Sequence, residues 1–157
     1  TGIDAVKISS PFAGAGFISS NFYTDFVLPY EKIIAQTVRR MGVHAYTHTC
    51  GAIKDRVELM FESGVSGIEC LDPPPLGNVE LEDAKKRTRG RGFIKGNMDS
   101  VNTLLKADRV AILADARKII QTGKENGGFI FSTACSVAPL VPRENMVLLR
   151  EAVERWG

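Results

Sequence analysis

The sequence predicts an α/β fold of parallel (β/α) repeats, about five of the eight units of a TIM-type barrel, in one partial-barrel domain covering residues 1–157. Two observations predict it. Strand-like and helix-like stretches alternate from end to end with short connections, which implies right-handed crossovers and a parallel sheet. An open doubly wound sheet, the other architecture with this alternation, should begin with a phosphate-binding glycine fingerprint. Residues 11–16, Pro-Phe-Ala-Gly-Ala-Gly, have neither its spacing nor a helix opening on them.

Each element has its own signal. Residues 5–9 read as a strand. Residues 21–41 read as a helix, with Phe22, Phe26, Tyr30, Ile33, Ile34, Thr37, Val38 and Met41 near helical spacing. Pro29 lacks an amide hydrogen and should kink or divide that helix, and Gly42 should end it. A strand over 43–49 is followed by a helix from about 54 to 62 carrying Val57, Leu59 and Met60. Residues 66–71 form a strand leading into Asp72-Pro73-Pro74-Pro75, where three prolines exclude regular structure. A short helix over 80–87 precedes a strand at 92–96. Asp108 looks like the N-cap of a helix through Ile120, with Val110, Leu113 and Ala114 also apolar. Residues 129–133 are the last strand, and Pro142 suits the first turn of a helix ending at Trp156-Gly157.

Five units cannot close a barrel. The first and last strands would expose unpaired backbone, so the missing N-terminal barrel segment is expected from another stretch of polypeptide, or from self-association. The opening Thr1-Gly2-Ile3-Asp4 runs directly into a strand, as the later part of a longer protein would. With 24% charged residues and a net charge of +2, composition supports neither a nucleic-acid nor a membrane partner. No apolar run approaches the roughly 20 residues that span a bilayer, and no signal peptide is evident. Three cysteines without framework spacing point to a reducing cytoplasm.

The chemistry concentrates at His48, Cys50 and Cys135. Strand alternation puts His44, Tyr46, His48 and Cys50 on one face, and Cys135 follows another strand. In a barrel these ends form the active-site rim. One imidazole and two thiolates, where tetrahedral zinc takes four donors, is the pattern of a catalytic zinc site. Two buried thiols and a hydrogen-bonded core histidine would also produce it. Cys70 sits mid-strand and reads as core. Glu69 and Asp72 are placed to complete the zinc shell or orient His48, or else to cap a loop amide. Lys95, Asn97 and Asp99 share a face, as substrate contacts or as a buried Lys–Asp bridge. The turn holding Ser10, Gly14 and Gly16 permits close backbone approach to a cofactor, or is simply tight. Lys85, Lys86, Arg87, Arg89 and Arg91 form a basic cluster of the kind that is usually a solvated face and, less often, a docking patch.

The same residues carry a resemblance covering nearly the whole chain. Ser9-Ser10-Pro11-Phe12-Ala13-Gly14, Leu28-Pro29-Tyr30, His48-Thr49-Cys50-Gly51, Ile94-Lys95-Gly96-Asn97-Met98-Asp99, and Cys135-Ser136-Val137-Ala138-Pro139 with Pro142-Arg143-Glu144-Asn145 resemble the C-terminal part of the uroporphyrinogen decarboxylase superfamily, a (β/α)8 barrel. The decarboxylases of that superfamily act on tetrapyrrole acetate groups without metal. They typically have Gly-His-Gly where this chain has Ala134-Cys135-Ser136. Its cobamide-dependent methyltransferases bind zinc through a His-x-Cys pair and a later Cys, matched here by His48, Cys50 and Cys135. The resemblance therefore implies a Zn2+ enzyme that moves a methyl group from a methylated corrinoid, carried by a partner corrinoid protein, to a small-molecule thiol. Glu69, Asp72, Lys95 and Asn97 would be its orienting groups. A metal-free decarboxylase and a non-catalytic barrel fragment are the alternatives.

Overall fold

The structure, a computed structural model, describes residues 2–157. The strands are β1 (Ala5–Ser9), β2 (His44–Thr49), β3 (Gly67–Cys70), β4 (Phe93–Met98) and β5 (Phe129–Thr133), all parallel and paired in chain order. The helices are α1 (Ser20–Phe26), α2 (Leu28–Arg40), α3 (Val57–Glu62), α4 (Leu81–Arg87), α5 (Arg109–Lys124) and α6 (Arg143–Trp156). Sequential pairing in this order is the arrangement of part of a (β/α)8 barrel, as the alternation predicts.

Register assigns the two faces of the sheet. One row runs Ile8, Thr47, Ile68, Ile94 and Phe129 across all five strands; it lies under the helices. There Ile8, Ile68 and Ile94 pack with Ala35, Met60, Ala84, Ala116 and Ile120 from the helices. Burying each such isoleucine contributes about 1.5–3 kcal/mol. The adjacent row runs Ser9, His48, Glu69, Lys95 and Ile130 on the opposite, inner face. Its centre is buried, whereas Ser9 is exposed at one edge and Ile130 is 46% exposed at the other. On that face Gly67 has no freedom to change, because a Cβ there would lie 2.5 Å from the Phe93 ring.

Pro29 divides the predicted long helix at Val27, and it occupies the second position of α2, where its missing amide hydrogen costs nothing. The helix expected from residue 54 begins at Val57 instead. Arg56 sits at its N-cap with a fully buried guanidinium that donates to Ala13 O at 2.7 Å and Ile18 O at 3.0 Å. The strand expected over 92–96 runs on to Met98, and the helix expected to stop at Ile120 continues to Lys124. Gly123 lets that last turn lie against Phe129, whose ring a Cβ would meet at 2.2 Å. The Asp108 cap forms, accepting from Ala111 N at 2.8 Å.

A second buried ion faces Arg56 across the connection between β1 and α1. Glu31 of α2 accepts from Tyr23 Oη at 2.6 Å, Ser10 Oγ at 2.7 Å and Thr47 Oγ1 at 3.0 Å. The Arg56 guanidinium also lies 5.6 Å from the Tyr23 ring centroid. Buried charges persist only with such partners, and together they tie residues 10–18 to β2 and α3. The basic cluster is engaged locally: Lys85 donates to Gly127 O, Lys86 pairs with Glu82, Arg87 with Glu58 and Asp83, and Arg89 with Asn126. Among the described residues no helix is long and apolar enough to cross a membrane.

Candidate metal centre

His48 lies near the end of β2 on the inner face, next to Glu69 in register. Its Nδ1 faces Glu69 Oε2 at 3.1 Å, an ionised carboxylate oxygen that can only accept, and the other ring nitrogen, Nε2, points to the cysteines. That nitrogen is 3.1 Å from Cys50 Sγ, and Cys50 Sγ is 3.4 Å from Cys135 Sγ. The chain brings the three donors together from residues 85 apart in sequence.

Local structure holds each one. Gly51 takes a φ of +76°, bending the chain after Cys50, and its amide donates to Asp72 Oδ2 at 2.7 Å. Gly14 lies against the same turn, where a Cβ would come within 2.3 Å of Cys50 O. Ala15 N donates to Ala52 O at 2.7 Å and Ser10 N to His48 O at 2.9 Å. Cys135 is aimed by Ala134 N, which extends the β4–β5 ladder to Met98 O at 2.8 Å, and by Thr133 Oγ1 donating to Cys135 O at 2.8 Å.

Glu69 is the hub of the surrounding charge. It also takes ion pairs from Lys95 and, at 3.5 Å, from Lys7. Burial works to raise its carboxyl, but hydrogen bonds from His48 and Lys95, with the charges of Lys95 and Lys7, outweigh it and hold the group at about 2. Asn97 donates to Leu71 O at 3.2 Å and so braces the turn leaving β3. The Lys95–Asp99 bridge does not form: Lys95 reaches Glu69, and Asp99 instead accepts from Val101 N and Asn102 N at 2.8 and 2.7 Å, capping the next turn. In the glycine turn, the Ser10 hydroxyl is engaged by Glu31, Gly14 is explained by Cys50, and Gly16 has open space where a Cβ would stand.

Sequence reasoning assigned Cys70 to the core. It is fully buried, and its sulfur also belongs to the cluster: the donor atoms of His48, Cys50, Cys70 and Cys135 all lie within 4.8 Å of one another. The missed signal was positional. All three cysteines stand at, or just beyond, the C-terminal end of a strand.

Comparison with known proteins places the chain. The model of the family described as "Uroporphyrinogen decarboxylase (URO-D)" matches residues 1–156. The chain belongs to the uroporphyrinogen decarboxylase family. Among curated relatives, methylcobamide:CoM methyltransferase MtbA of Methanosarcina acetivorans is 24% identical over 155 residues, 99% of this chain and 43% of the relative. A uroporphyrinogen decarboxylase of Chlorobium phaeobacteroides is 30% identical over 157 residues, 98% of this chain and 42% of the relative. A solved methyltransferase from Methanosarcina mazei superposes with a TM-score of 0.85 at 23% identity, over 98% of this chain and 42% of that one. The family's relatives are thus enzymes of two kinds, and the chain spans 42–43% of the length of those compared here.

The residues at the centre suit a soft divalent cation. Burial, then the Cys135 hydrogen bond and charge, and then the charge of Asp72 push the Cys50 thiol up to about 12, against a smaller opposing contribution from Cys70. Burial and the neighbouring Asp72 raise Cys70 as well. Thiols crowded in this way are poor acids alone, and a cation reverses the balance by making thiolates the favoured form. Asp72 Oδ1 is buried without a hydrogen-bond partner, while its other oxygen accepts from the Cys70 thiol. The second nitrogen of His48 already rests on a carboxylate, the usual outer partner of a metal-ligating imidazole.

Proposed function

We propose that the chain is the metal-binding part of a zinc-dependent methyltransferase that moves a methyl group from a methylated corrinoid to a thiol. The convergence of His48 Nε2, Cys50 Sγ and Cys135 Sγ carries this reading. Likeness to a methylcobamide:CoM methyltransferase over 99% of the chain supports it.

In this reading His48, Cys50 and Cys135 hold Zn2+. Zinc there supplies a Lewis acid that keeps an acceptor thiol ionised near neutral pH. Glu69 fixes the tautomer and ring plane of His48, while Lys95 and Lys7 keep that carboxylate charged. Asp72 holds the turn after Cys50 through Gly51 N, and Asn97 holds the turn after β3. The acceptor sulfur forms the new bond to carbon, the bond pair of the old one stays with the corrinoid, and the thiol proton passes to solvent. A separate corrinoid protein presents the methyl group at the mouth formed by the strand ends. Further strands, from the missing N-terminal barrel segment or a second copy, complete the opposite wall.

The test is metal analysis followed by methyl transfer from methylcobalamin to a panel of small thiols. About one zinc per chain is expected from a single tetrahedral site. Replacing Cys50 and Cys135 together by alanine should remove zinc, and with it transfer by the completed barrel. Full zinc content in that double variant refutes the assignment.

A further inference from the structure

We infer that a cavity on the face opposite the metal centre binds a sugar phosphate, with Lys85 and Arg89 holding the phosphate and carboxylates at the rim holding hydroxyls. Position is the first argument. The cavity, of about 800 Å³, lies between the turn after α4 and the turn after α5. These turns lead into β4 and β5, so it opens at the end of the sheet away from His48, Cys50 and Cys135. All of its lining comes from these two adjacent units of the chain. Its size is that of a small-molecule site.

Charge is the second. Lys85, Lys86 and Arg89 line the cavity. Lys86 pairs with Glu82, but Lys85 and Arg89 have no carboxylate partner among the described residues. Lys85 Nζ donates to Gly127 O, and Arg89 Nη2 to Asn126 Oδ1 at 3.3 Å. These acceptors belong to neighbouring residues, so an ammonium and a guanidinium stand side by side on one turn. By contrast Arg87, Arg109, Arg150 and Arg155 each meet a glutamate. Burial lowers the Lys85 ammonium, with the charge of Glu125 opposing more weakly. Two adjacent cations with donors to spare match a group that carries two negative charges and several acceptors. Phosphate is that group, and a carboxylate brings only half the charge.

The third is exposed main chain. Asn126, Gly127 and Gly128 have φ of +59°, +67° and +67°, and Gly90 on the other turn has +76°. Glycine and asparagine hold this conformation with little strain. A Cβ at Gly90 or Gly127 would stand in open space, so conformation rather than crowding calls for glycine there. The amides of Asn126 and Gly128 donate to no acceptor among the described residues. Turns of this kind are where backbone amides gather anions. The helix ends nearby are partly closed, which limits the repulsion of their dipoles. Ala84 O accepts from Thr88 N at 2.9 Å and Thr88 Oγ1 at 2.8 Å, and Lys124 O from Gly127 N at 3.1 Å.

The rest of the lining selects what carries the phosphate. No aromatic side chain is among the described residues around the cavity, so a nucleobase has nothing to stack on. Glu82, Glu125 and Thr122 instead offer partners for hydroxyls.

The experiment titrates isotope-labelled protein with ribose 5-phosphate, ribose, inorganic phosphate and AMP, and follows the amide resonances. Ribose 5-phosphate should bind with a dissociation constant on the order of 1 mM or below and move the signals of the turns at 88–92 and 125–128. Phosphate alone should bind about tenfold more weakly, ribose not measurably, and AMP no more tightly than ribose 5-phosphate. Lys85→Ala combined with Arg89→Ala should weaken ribose 5-phosphate about a hundredfold, whereas Arg150→Ala on exposed α6 should leave it unchanged. No movement in the two turns of the wild type, which needs no variant to fold, overturns the site. Unchanged affinity in the double variant overturns the roles of Lys85 and Arg89. Equal affinity for phosphate and ribose 5-phosphate overturns the sugar, and tighter binding of AMP replaces it with a nucleotide. None of these outcomes depends on zinc, so this site stands or falls apart from the metal centre.

Discussion

Glu31 offers the sharpest test of how the centre is supported. Replacing it with alanine strands three hydroxyl donors at once. Tyr23 and Thr47 are fully buried, so neither recovers a partner from water, whereas partly exposed Ser10 does. Each stranded buried donor costs about 1–3 kcal/mol, or about 2–6 kcal/mol for the two. Relief from burying a carboxylate offsets part of this, and we expect a net loss of about 3 kcal/mol. Glu31→Gln keeps the shape and one acceptor but turns the other oxygen into a donor, so its loss should be about 1–2 kcal/mol. The assay is urea denaturation followed by circular dichroism, with a chelator present so that metal binding does not contribute. Tyr23→Phe closes the cycle. In the wild type it removes one bond, at about 1 kcal/mol; beside Glu31→Ala it removes a stranded hydroxyl and should cost nothing or stabilise. A Glu31→Ala loss below about 0.5 kcal/mol, or a Tyr23→Phe cost unchanged by that background, refutes the network as a support.

Three further outcomes follow. Gly67→Ala drives a methyl group into the Phe93 ring and should cost about 1–3 kcal/mol in urea midpoint analysis, with partial rescue by Phe93→Leu. Glu69→Gln should weaken zinc binding by about 10–100-fold in chelator competition, because His48 loses its charged outer partner. The hydrogen bond from Arg87 lowers the Glu58 carboxyl, with burial opposing it more weakly. A depressed folded-state pKa contributes stability above the ordinary carboxylate range and loses it as pH falls below. The pair is about a third exposed, so Glu58→Gln should cost under about 1 kcal/mol at pH 7, and the difference from wild type should vanish at acid pH in paired denaturation curves.

Much of the architecture could be read from the chain because the signals were local. The fifth strand matched residue for residue, and Pro29, Asp108 and the triple proline after Asp72 each act within a few residues of themselves. Errors gathered where distant contacts decide. Nothing near residue 54 says that the Arg56 guanidinium must reach Ala13 and Ile18, and the last turn of α5 is held by Phe129 on the next strand. At the centre, alternation placed His48 and Cys50 on one face; applied to Cys70, one residue beyond the inward-facing Glu69, the same rule points the sulfur away. Only the positive φ angles of Cys70 and Leu71, +94° and +56°, undo that rule, and neither residue type announces them. Glu31 and Arg56 carried no signal at all, since each reads as an ordinary polar helix residue until its partners are known.

The metal centre and the substrate pocket differ in how completely this chain supplies them. Every proposed donor, and Glu69, Lys95 and Asp72 behind them, comes from β2, β3, β4, β5 or the turns after them. These strands are contiguous in the sheet, and His48 and Glu69 at the centre of the inner row are buried within this chain. Across from it, Lys7 is 45% exposed in its side chain and Ile130 46% exposed, so the inner face is open where a closed barrel would have its far wall. A cation needs only the first set of residues. A thiol held beside a methylcorrinoid needs both, because enclosure is what excludes water and fixes the line of transfer. In the methyltransferase reading, binding of metal by these residues and turnover by the completed barrel are therefore physically separable properties.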